Sequence, residues 1–275
     1  MELTDAEVDR VVTAALAEDV GTGDRTTAAL VPADARCRAQ LLLEEPGVVC
    51  GVLIAAAVFR AVDPSVRVEP LVEEGTAVTG VPGLLAEIEG PARAVLTGER
   101  VALNLLGRLC GIASLTRRYV ELANGTGATF LDTRKTTPGL RALEKYAVRC
   151  GGGANHRAGL YDAILVKENH LRIAGGITAA VAMLNGTAGI EVEAETLEQV
   201  QEALDAGVGR ILLDNMSPEH VAQAVTLTAG RAELEASGGI SLATVRGYAE
   251  TGVDFISVGA LTHAARSLHV SLEVE

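Results

Sequence analysis

The sequence predicts an α/β protein whose larger part is an open or incomplete parallel barrel, and three observations carry that prediction. First, short β-branched or Leu-rich runs recur from residue 128 onward, at 129–132, 163–167, 189–194, 210–215, 232–237 and 254–259. Second, helix signals follow several of them. Thr196-Leu197-Glu198-Gln199 reads as a capping box on a helix ended by Gly207, Ser217-Pro218-Glu219 opens another, and Ser241 opens one that Gly252 closes. Third, strand and helix alternate every ~20–35 residues, the pattern of βα units on a parallel sheet. Six such units are too few for a closed eight-fold barrel. The barrel therefore stays open, or is completed by the first domain or by a second subunit.

The N-terminal part reads differently. Thr4-Asp5-Ala6-Glu7 is a capping box, with Val8, Val11, Val12, Ala15 and Leu16 following at helical spacing. Residues 36–90 hold short apolar runs cut by Glu45-Pro46-Gly47, Asp63-Pro64, Val81-Pro82-Gly83 and Gly90-Pro91, the punctuation of strands and turns. From 94 to about 123 the period becomes helical, through Leu96, Leu103, Leu106, Leu109, Ile112, Leu115 and Tyr119. Gly107 and Gly111 lie four apart there, spaced for close helix packing. Pro138 is read as the first-turn proline of a helix stopped by Gly151-Gly152-Gly153.

Composition narrows the function. Hydrophobic residues make up 48% of the 275, but aromatics only 3% and Trp is absent, so core volume rests on Leu, Val, Ile and Ala. The net charge of −13 argues against nucleic acid and anionic membranes as partners. The apolar run 48–59 is too short to span a bilayer, and the acidic start Met1-Glu2-Leu3-Thr4-Asp5 lacks the basic opening of a signal peptide, which points to the cytoplasm. Cys37, Cys50, Cys110 and Cys150 sit far apart, without paired spacing for zinc or redox work, and read as reduced thiols. Against the acidic total, residues 134–172 hold eight of the 23 basic residues and three acids. An acidic protein that binds an anion must gather its cations locally, and this stretch gathers them.

Parallel α/β folds bind ligands at the carboxyl ends of their strands. Those ends read Asp132-Thr133-Arg134-Lys135, Lys167-Glu168-Asn169-His170, Glu191-Val192-Glu193, Asp214-Asn215, Ser237-Gly238-Gly239 and Val258-Gly259-Ala260. Arg134, Lys135, His156, Arg157 and Lys167 make a cationic wall, in which Arg can grip a carboxylate through two bonds. Glu193 and Asp214 suit ribose hydroxyls and a hard cation, although either alone also fits as a charge partner for Lys167. Glu191, on the same strand face as Glu193, either shares that role or lies deeper, paired with a base. The two final Gly-rich turns suit a phosphate, helped by the helix expected after Ser241.

These residues resemble the quinolinate phosphoribosyltransferase family (nicotinate-nucleotide pyrophosphorylase, decarboxylating), of the type II phosphoribosyltransferases. The likeness runs from about residue 18 to the end. It is densest at Asp132-Thr133-Arg134-Lys135-Thr136-Thr137-Pro138-Gly139-Leu140-Arg141, Asn155-His156-Arg157, Leu213-Asp214-Asn215 and Ser237-Gly238-Gly239, with Thr97-Gly98-Glu99-Arg100 upstream. The resemblance implies an N-terminal α/β sandwich-like domain, residues 1–110 with the tail 266–275, and an open α/β barrel over 111–265. It implies a homodimer in which Arg100 reaches the neighbouring site. By the same likeness Arg134, Lys135, His156, Arg157 and Lys167 hold quinolinate. Thr133 joins the substrate-binding set, and Glu193 and Asp214 serve the ribose and Mg²⁺ of phosphoribosyl pyrophosphate (PRPP). Ser237, Gly238, Gly239, Val258, Gly259 and Ala260 take its 5′-phosphate. Lys135, Lys167, Glu193 and Asp214 are the catalytic candidates; Mg²⁺ arrives with PRPP, without a fixed protein site. Glu168 stands where the family pattern has Asp, and residues 182–189 look trimmed.

The expected reaction is phosphoribosyl transfer from PRPP to the ring nitrogen of quinolinate with loss of CO2, giving nicotinate mononucleotide for NAD biosynthesis. Three rivals stay open: a relative acting on another pyridine-like acceptor, a Schiff-base lyase using Lys167, and a sensor that binds PRPP without turnover.

Overall fold

A computed structural model of the chain describes residues 3–184 and 186–275. Met1 and Glu2 of the acidic start, and Asn185 within the stretch 182–189, lie outside the described residues. The chain opens with α1 (Asp5–Val20), α2 (Arg25–Leu30), β1 (Arg36–Leu43), β2 (Gly47–Val48), α3 (Val52–Val62), β3 (Arg67–Pro70), β4 (Ala77–Val78) and β5 (Gly83–Pro91). The long α4 (Ala92–Leu122), β6 (Thr129–Leu131), α5 (Arg141–Cys150), β7 (Ile164–Val166), α6 (Glu168–Ala174) and α7 (Ile177–Met183) follow. Then come β8 (Ile190–Ala194), α8 (Leu197–Asp205), β9 (Arg210–Asp214), α9 (Pro218–Thr228), β10 (Glu233–Ser237), α10 (Val245–Ala249), β11 (Phe255–Ser257), α11 (Ala260–His263) and β12 (Val270–Val274).

Two compact units result, Met1–Arg117 with Thr136–Gly152 and Leu261–Glu275, and Arg118–Lys135 with Gly153–Ala260. The first is built on an antiparallel sheet in the order β12-β1-β5-β3. The capping box of α1 is present in full, Thr4 accepting the Glu7 N–H and Glu7 returning the bond. The helix α3 departs from the strand-and-turn reading of 36–90. Its residues Val52, Ile54, Ala55, Ala56, Val58 and Phe59 are all buried, so the run is apolar on nearly every side and shows no helical period. Gly107 and Gly111 also serve a purpose other than helix packing. A Cβ on Gly111 would lie 1.9 Å from the Arg266 carbonyl oxygen, and one on Gly107 would lie 2.6 Å from that of Leu268. The partner is the extended segment that carries β12 into the sheet, and the Leu268 N–H donates to the Gly107 carbonyl at 2.9 Å.

One buried ion pair ties this unit together. Glu144 of α5 is fully buried and accepts from Arg108 of α4 through Nε at 3.1 Å and Nη2 at 2.8 Å. The Thr137 N–H and Oγ1 also donate to it, at 3.1 and 2.8 Å. Arg108 also donates to the carbonyls of Thr262 and Ala265. Four of the five Arg108 N–H groups and both Glu144 oxygens are thus hydrogen-bonded, the condition under which burial of an ion pair is tolerable. Pro138 belongs to the turn ahead of α5, not to its first turn, because Leu140 is the N-cap.

The second unit holds a six-stranded parallel sheet in the order β6-β11-β10-β9-β8-β7. From β7 to β11 each strand lies beside its predecessor, and β6 joins the far side of β11. Pairing β6 with β7 would close the ring; instead the sheet is open there, as an incomplete barrel requires. The free edge of β6 is taken by a short loop. Ala154 donates to the Phe130 carbonyl at 2.7 Å, and the Asp132 N–H donates to the Ala154 carbonyl at 3.2 Å. Ser217 caps α9 with Pro218 in its first turn, as the sequence indicates. Ser241 does not open a helix: α10 spans five residues behind Thr244, so little dipole faces the Ser237 turn.

Replacing Arg108 by Met should cost about 3–5 kcal/mol in urea unfolding, since Glu144 would stay buried without its countercharge. A loss below 1 kcal/mol would show that the pair holds nothing together.

Candidate active site

The interior of the open barrel follows from the period of the strands. Side chains alternate across a strand, so Glu191 and Glu193 of β8 share a face, as do Arg210, Leu212 and Asp214 of β9, and Glu235 and Ser237 of β10. Of these, Glu193, Leu212, Asp214, Glu235 and Ser237 line a cavity of about 420 Å³ together with Thr133, Arg134, Lys135, His156, Arg157, Leu165, Lys167, Asn215, Gly238, Gly239 and Ser257. Its volume suits a small ligand site.

The cationic wall expected from the sequence is brought together. Burial and the neighbouring Arg134 charge both lower the pKa of Arg157, while Glu191 and Asp162 oppose the shift. Lys167 stands at the N-cap of α6, with Nζ 3.6 Å from Glu193. The Thr133 hydroxyl accepts the Lys135 N–H at 3.0 Å and so shapes the turn that presents Arg134 and Lys135. Glu168 points away from the cavity into a pair with Arg172 on its own helix, which leaves its N–H, 3.4 Å from Glu193, as its link to the site.

Across from the wall lie the acids and the glycine turn. Burial raises the pKa of Glu193, and nearby Asp214 adds to the shift while Lys167 opposes it. The Asn215 side chain donates to Asp214 at 2.6 Å and its backbone is left-handed, with φ of 55°. Gly238 has φ of +101°, and a Cβ there would meet Asn215 Oδ1 at 2.2 Å. Only glycine fits, which keeps the turn open beside Asp214. Val258 departs from the expected set: its side chain is buried and its N–H is already donated to Leu131 at 3.0 Å. Gly259 and Ala260 follow it at the start of α11. Arg100 lies on α4 in the other unit, with a 63% exposed side chain and Glu99 at 3.9 Å.

His156 lines the cavity, as the sequence reading has it, and is also bound into the floor beneath. Its Nε2 lies 3.0 Å from Glu191 and 3.5 Å from Glu235, while Nδ1 accepts the Arg157 N–H at 2.7 Å. Burial alone would lower its pKa; bonds to the two carboxylates outweigh that and push it up to about 9. The Arg157 N–H opposes a second ring proton, and Nε2 carries its proton in either state. With both nitrogens engaged, His156 orients Arg157 and the floor of the cavity.

Three participants in that floor, Arg210, Glu235 and Ser257, escaped the sequence reading. Arg210 Nε lies 3.2 Å from Glu191, Nη2 bonds Glu235, and the guanidinium stacks 4.0 Å from the Phe255 ring centroid. Ser257 Oγ donates to Glu235, which is fully buried. Asp132, also fully buried, accepts from Asn155 Nδ2 at 2.6 Å and the His156 N–H at 3.0 Å. Their signal was available, since charged residues inside short, otherwise apolar strands demand buried partners.

Models of the quinolinate phosphoribosyl transferase family match nearly the whole chain, the N-terminal domain over residues 24–110 and the C-terminal domain over 112–273. The chain belongs to that family. It is 43% identical over 261 residues to a probable nicotinate-nucleotide pyrophosphorylase [carboxylating] of Bacillus subtilis, covering 94% of this chain and 90% of the relative. A protein of the same description from Synechocystis is 46% identical over 266 residues, with the same coverage. The crystal structure of NadC from Streptococcus pyogenes superposes with a TM-score of 0.95 at 41% identity, covering 100% of this chain and 99% of that one. Among the described residues no helix is long and apolar enough to cross a membrane.

The floor has a pH signature. Burial works against the Glu235 charge, but His156, Ser257 and Arg210 outweigh it and lower its pKa to about 2, below the ordinary 4.5. A depressed carboxylate stabilises the fold above its unfolded pKa and loses that contribution as pH falls. Glu235→Gln should therefore cost about 3 kcal/mol at pH 7. The gap to the parent protein should narrow between pH 4.5 and about 2, read by urea unfolding at stepped pH. A gap constant over that range would show that Glu235 is not held ionised.

Proposed function

We infer that the protein transfers the phosphoribosyl group of PRPP to the ring nitrogen of quinolinate and releases CO2 and pyrophosphate, leaving nicotinate mononucleotide for NAD biosynthesis. The observation that carries this reading is the division of a single cavity into a cationic wall, a pair of carboxylates and a glycine turn. A dicarboxylate and a phosphorylated sugar need these three surfaces together. The word carboxylating in the relatives' names describes the same conversion run backward from pyrophosphate.

Arg134, Arg157 and Lys167, with Lys135, grip the two carboxylates of quinolinate and aim its nitrogen at the anomeric carbon of the sugar. The nitrogen lone pair forms the new bond as the carbon–oxygen bond to pyrophosphate breaks, its electrons leaving with pyrophosphate. Glu193 and Asp214 hold the ribose hydroxyls and stabilise the positive charge that grows on the sugar. Once ribosylated, the nitrogen is cationic, so the adjacent carboxylate departs as CO2 and its electron pair stays on the ring carbon. That carbon then takes a proton, for which Lys135 and Lys167 are the nearby donors. Ser237, Gly238 and Gly239 receive the 5′-phosphate through backbone N–H groups.

Two adjacent carboxylates suit Mg²⁺, which favours one or two protein carboxylates completed by substrate phosphates. Bound there with PRPP, the ion would neutralise charge on the departing pyrophosphate. Lys167 Nζ lies 3.6 Å from Glu193 on a wall shared with Arg134 and Arg157, a setting that suits anion binding better than a Schiff-base lyase. A homodimer in the cytoplasm completes the reading, with exposed Arg100 entering the partner's site.

With Mg²⁺ and PRPP present, quinolinate should yield nucleotide and one CO2 per turnover, while nicotinate and nicotinamide yield none. Turnover of nicotinate at a comparable rate would reassign the acceptor. Arg157→Ala should raise KM for quinolinate at least tenfold. Arg100→Ala and Asp214→Asn should each be nearly inactive, yet regain part of the activity when mixed; no recovery on subunit exchange would remove Arg100 from the partner's site.

A further inference from the structure

The cysteines that lie far apart in sequence do not lie apart in the fold. Cys50, Glu74 and Cys150 bring their sulfur and carboxylate ligand atoms within 4.8 Å of one another. We propose that these three side chains form a binding site for a soft divalent cation such as zinc, separate from the substrate cavity and holding together three distant segments of the first unit. No cysteine lines the cavity described above.

The site is built from fixed parts. Cys50 is fully buried directly ahead of α3, and Cys110 holds its backbone in place, accepting the Cys50 N–H at 3.3 Å. Glu74 caps the same helix, accepting the Gly51 N–H at 2.6 Å. Cys150 ends α5. Arg117 bridges the two remaining walls, donating to the Gly151 carbonyl at 3.0 Å and the Gly75 carbonyl at 3.2 Å. Gly75 approaches so closely that a Cβ would sit 3.1 Å from the Cys150 carbonyl oxygen.

Donor chemistry and charge both suit the ion. Zinc takes thiolate at ~2.3 Å and carboxylate at ~2.0–2.2 Å, which places tetrahedral donors roughly 3.5–3.8 Å apart. Donors already within 4.8 Å reach that spacing by side-chain rotation on about the ångström scale. Binding replaces the two thiol protons, which leave to solvent, and a water fills the fourth position. Two thiolates and one carboxylate carry three negative charges; the cation and Arg117 together carry three positive ones. Packing alone would explain one buried thiol, since free cysteine behaves as a small hydrophobe. Glu74 caps α3 through the Gly51 and Leu53 N–H groups, and its carboxylate oxygens keep lone pairs for an ion beside the two sulfurs.

Cobalt(II) is the direct probe, because a thiolate ligand gives it a charge-transfer absorption that carboxylates and imidazoles do not. The reduced, metal-free, full-length protein should bind one cobalt per chain with that absorption, and zinc should displace it. Cys150→Ser should abolish the band and Cys37→Ser should keep it, each variant checked for native circular dichroism. Absence of the band in folded parent protein would overturn the proposal, as would its survival in Cys150→Ser. So would a Cys50–Cys150 disulfide formed in place of metal binding.

Discussion

Everything at the mouth of the barrel depends on the charge balance beneath it. Glu191 and Glu235 face His156 and Arg210 in a floor largely shut off from water, where unpaired charge is most costly. Arg210 supplies a countercharge to both acids, and His156 bonds both through Nε2. Burial and the Arg134 charge lower the pKa of Arg157 while Glu191 and Asp162 raise it, so cations and acids meet at the mouth. A site of this kind holds binding energy ready for carboxylates in a protein whose net charge is −13. It also explains why His156, adjacent in sequence to the wall, works from below it.

The strand order supplies the second constraint. An eight-stranded barrel closes on itself and fills its interior with apolar layers. Six strands leave a gap beside β6, and the loop carrying Asn155, His156 and Arg157 is laid against that free edge. Asp132 fixes the loop through Asn155 and the His156 N–H. The open seam is thus the route by which a loop between a helix and a strand delivers a cation into the barrel. Charged side chains can occupy the middle of these strands for the same reason: the interior is a wet mouth above a compensated floor.

Much of this was legible in the sequence. Each parallel strand falls within one or two residues of its β-branched run, because glycine and helix caps bracket it. Arg134, Lys167, Glu193, Asp214 and Gly238 share one cavity because each sits at the end of a parallel strand or in the turn that follows it. What was illegible has physical causes. The helix α3 is apolar on nearly all sides and so carries no period. The role of His156 depends on Glu235, some 80 residues away, and only the register of β8, β9 and β10 brings them together. Spacing along the chain likewise says nothing about Cys50 and Cys150, which meet through the ends of two helices that sequence does not pair.

The central claim is that one barrel mouth presents cations to the carboxylates of quinolinate and acids to the sugar that receives its nitrogen. A crystal structure with quinolinate bound tests it most directly. Both carboxylates should sit on Arg134, Arg157 and Lys167, with the ring nitrogen turned toward Glu193 and Asp214. Quinolinate seated elsewhere, or its nitrogen turned away from those acids, would contradict it.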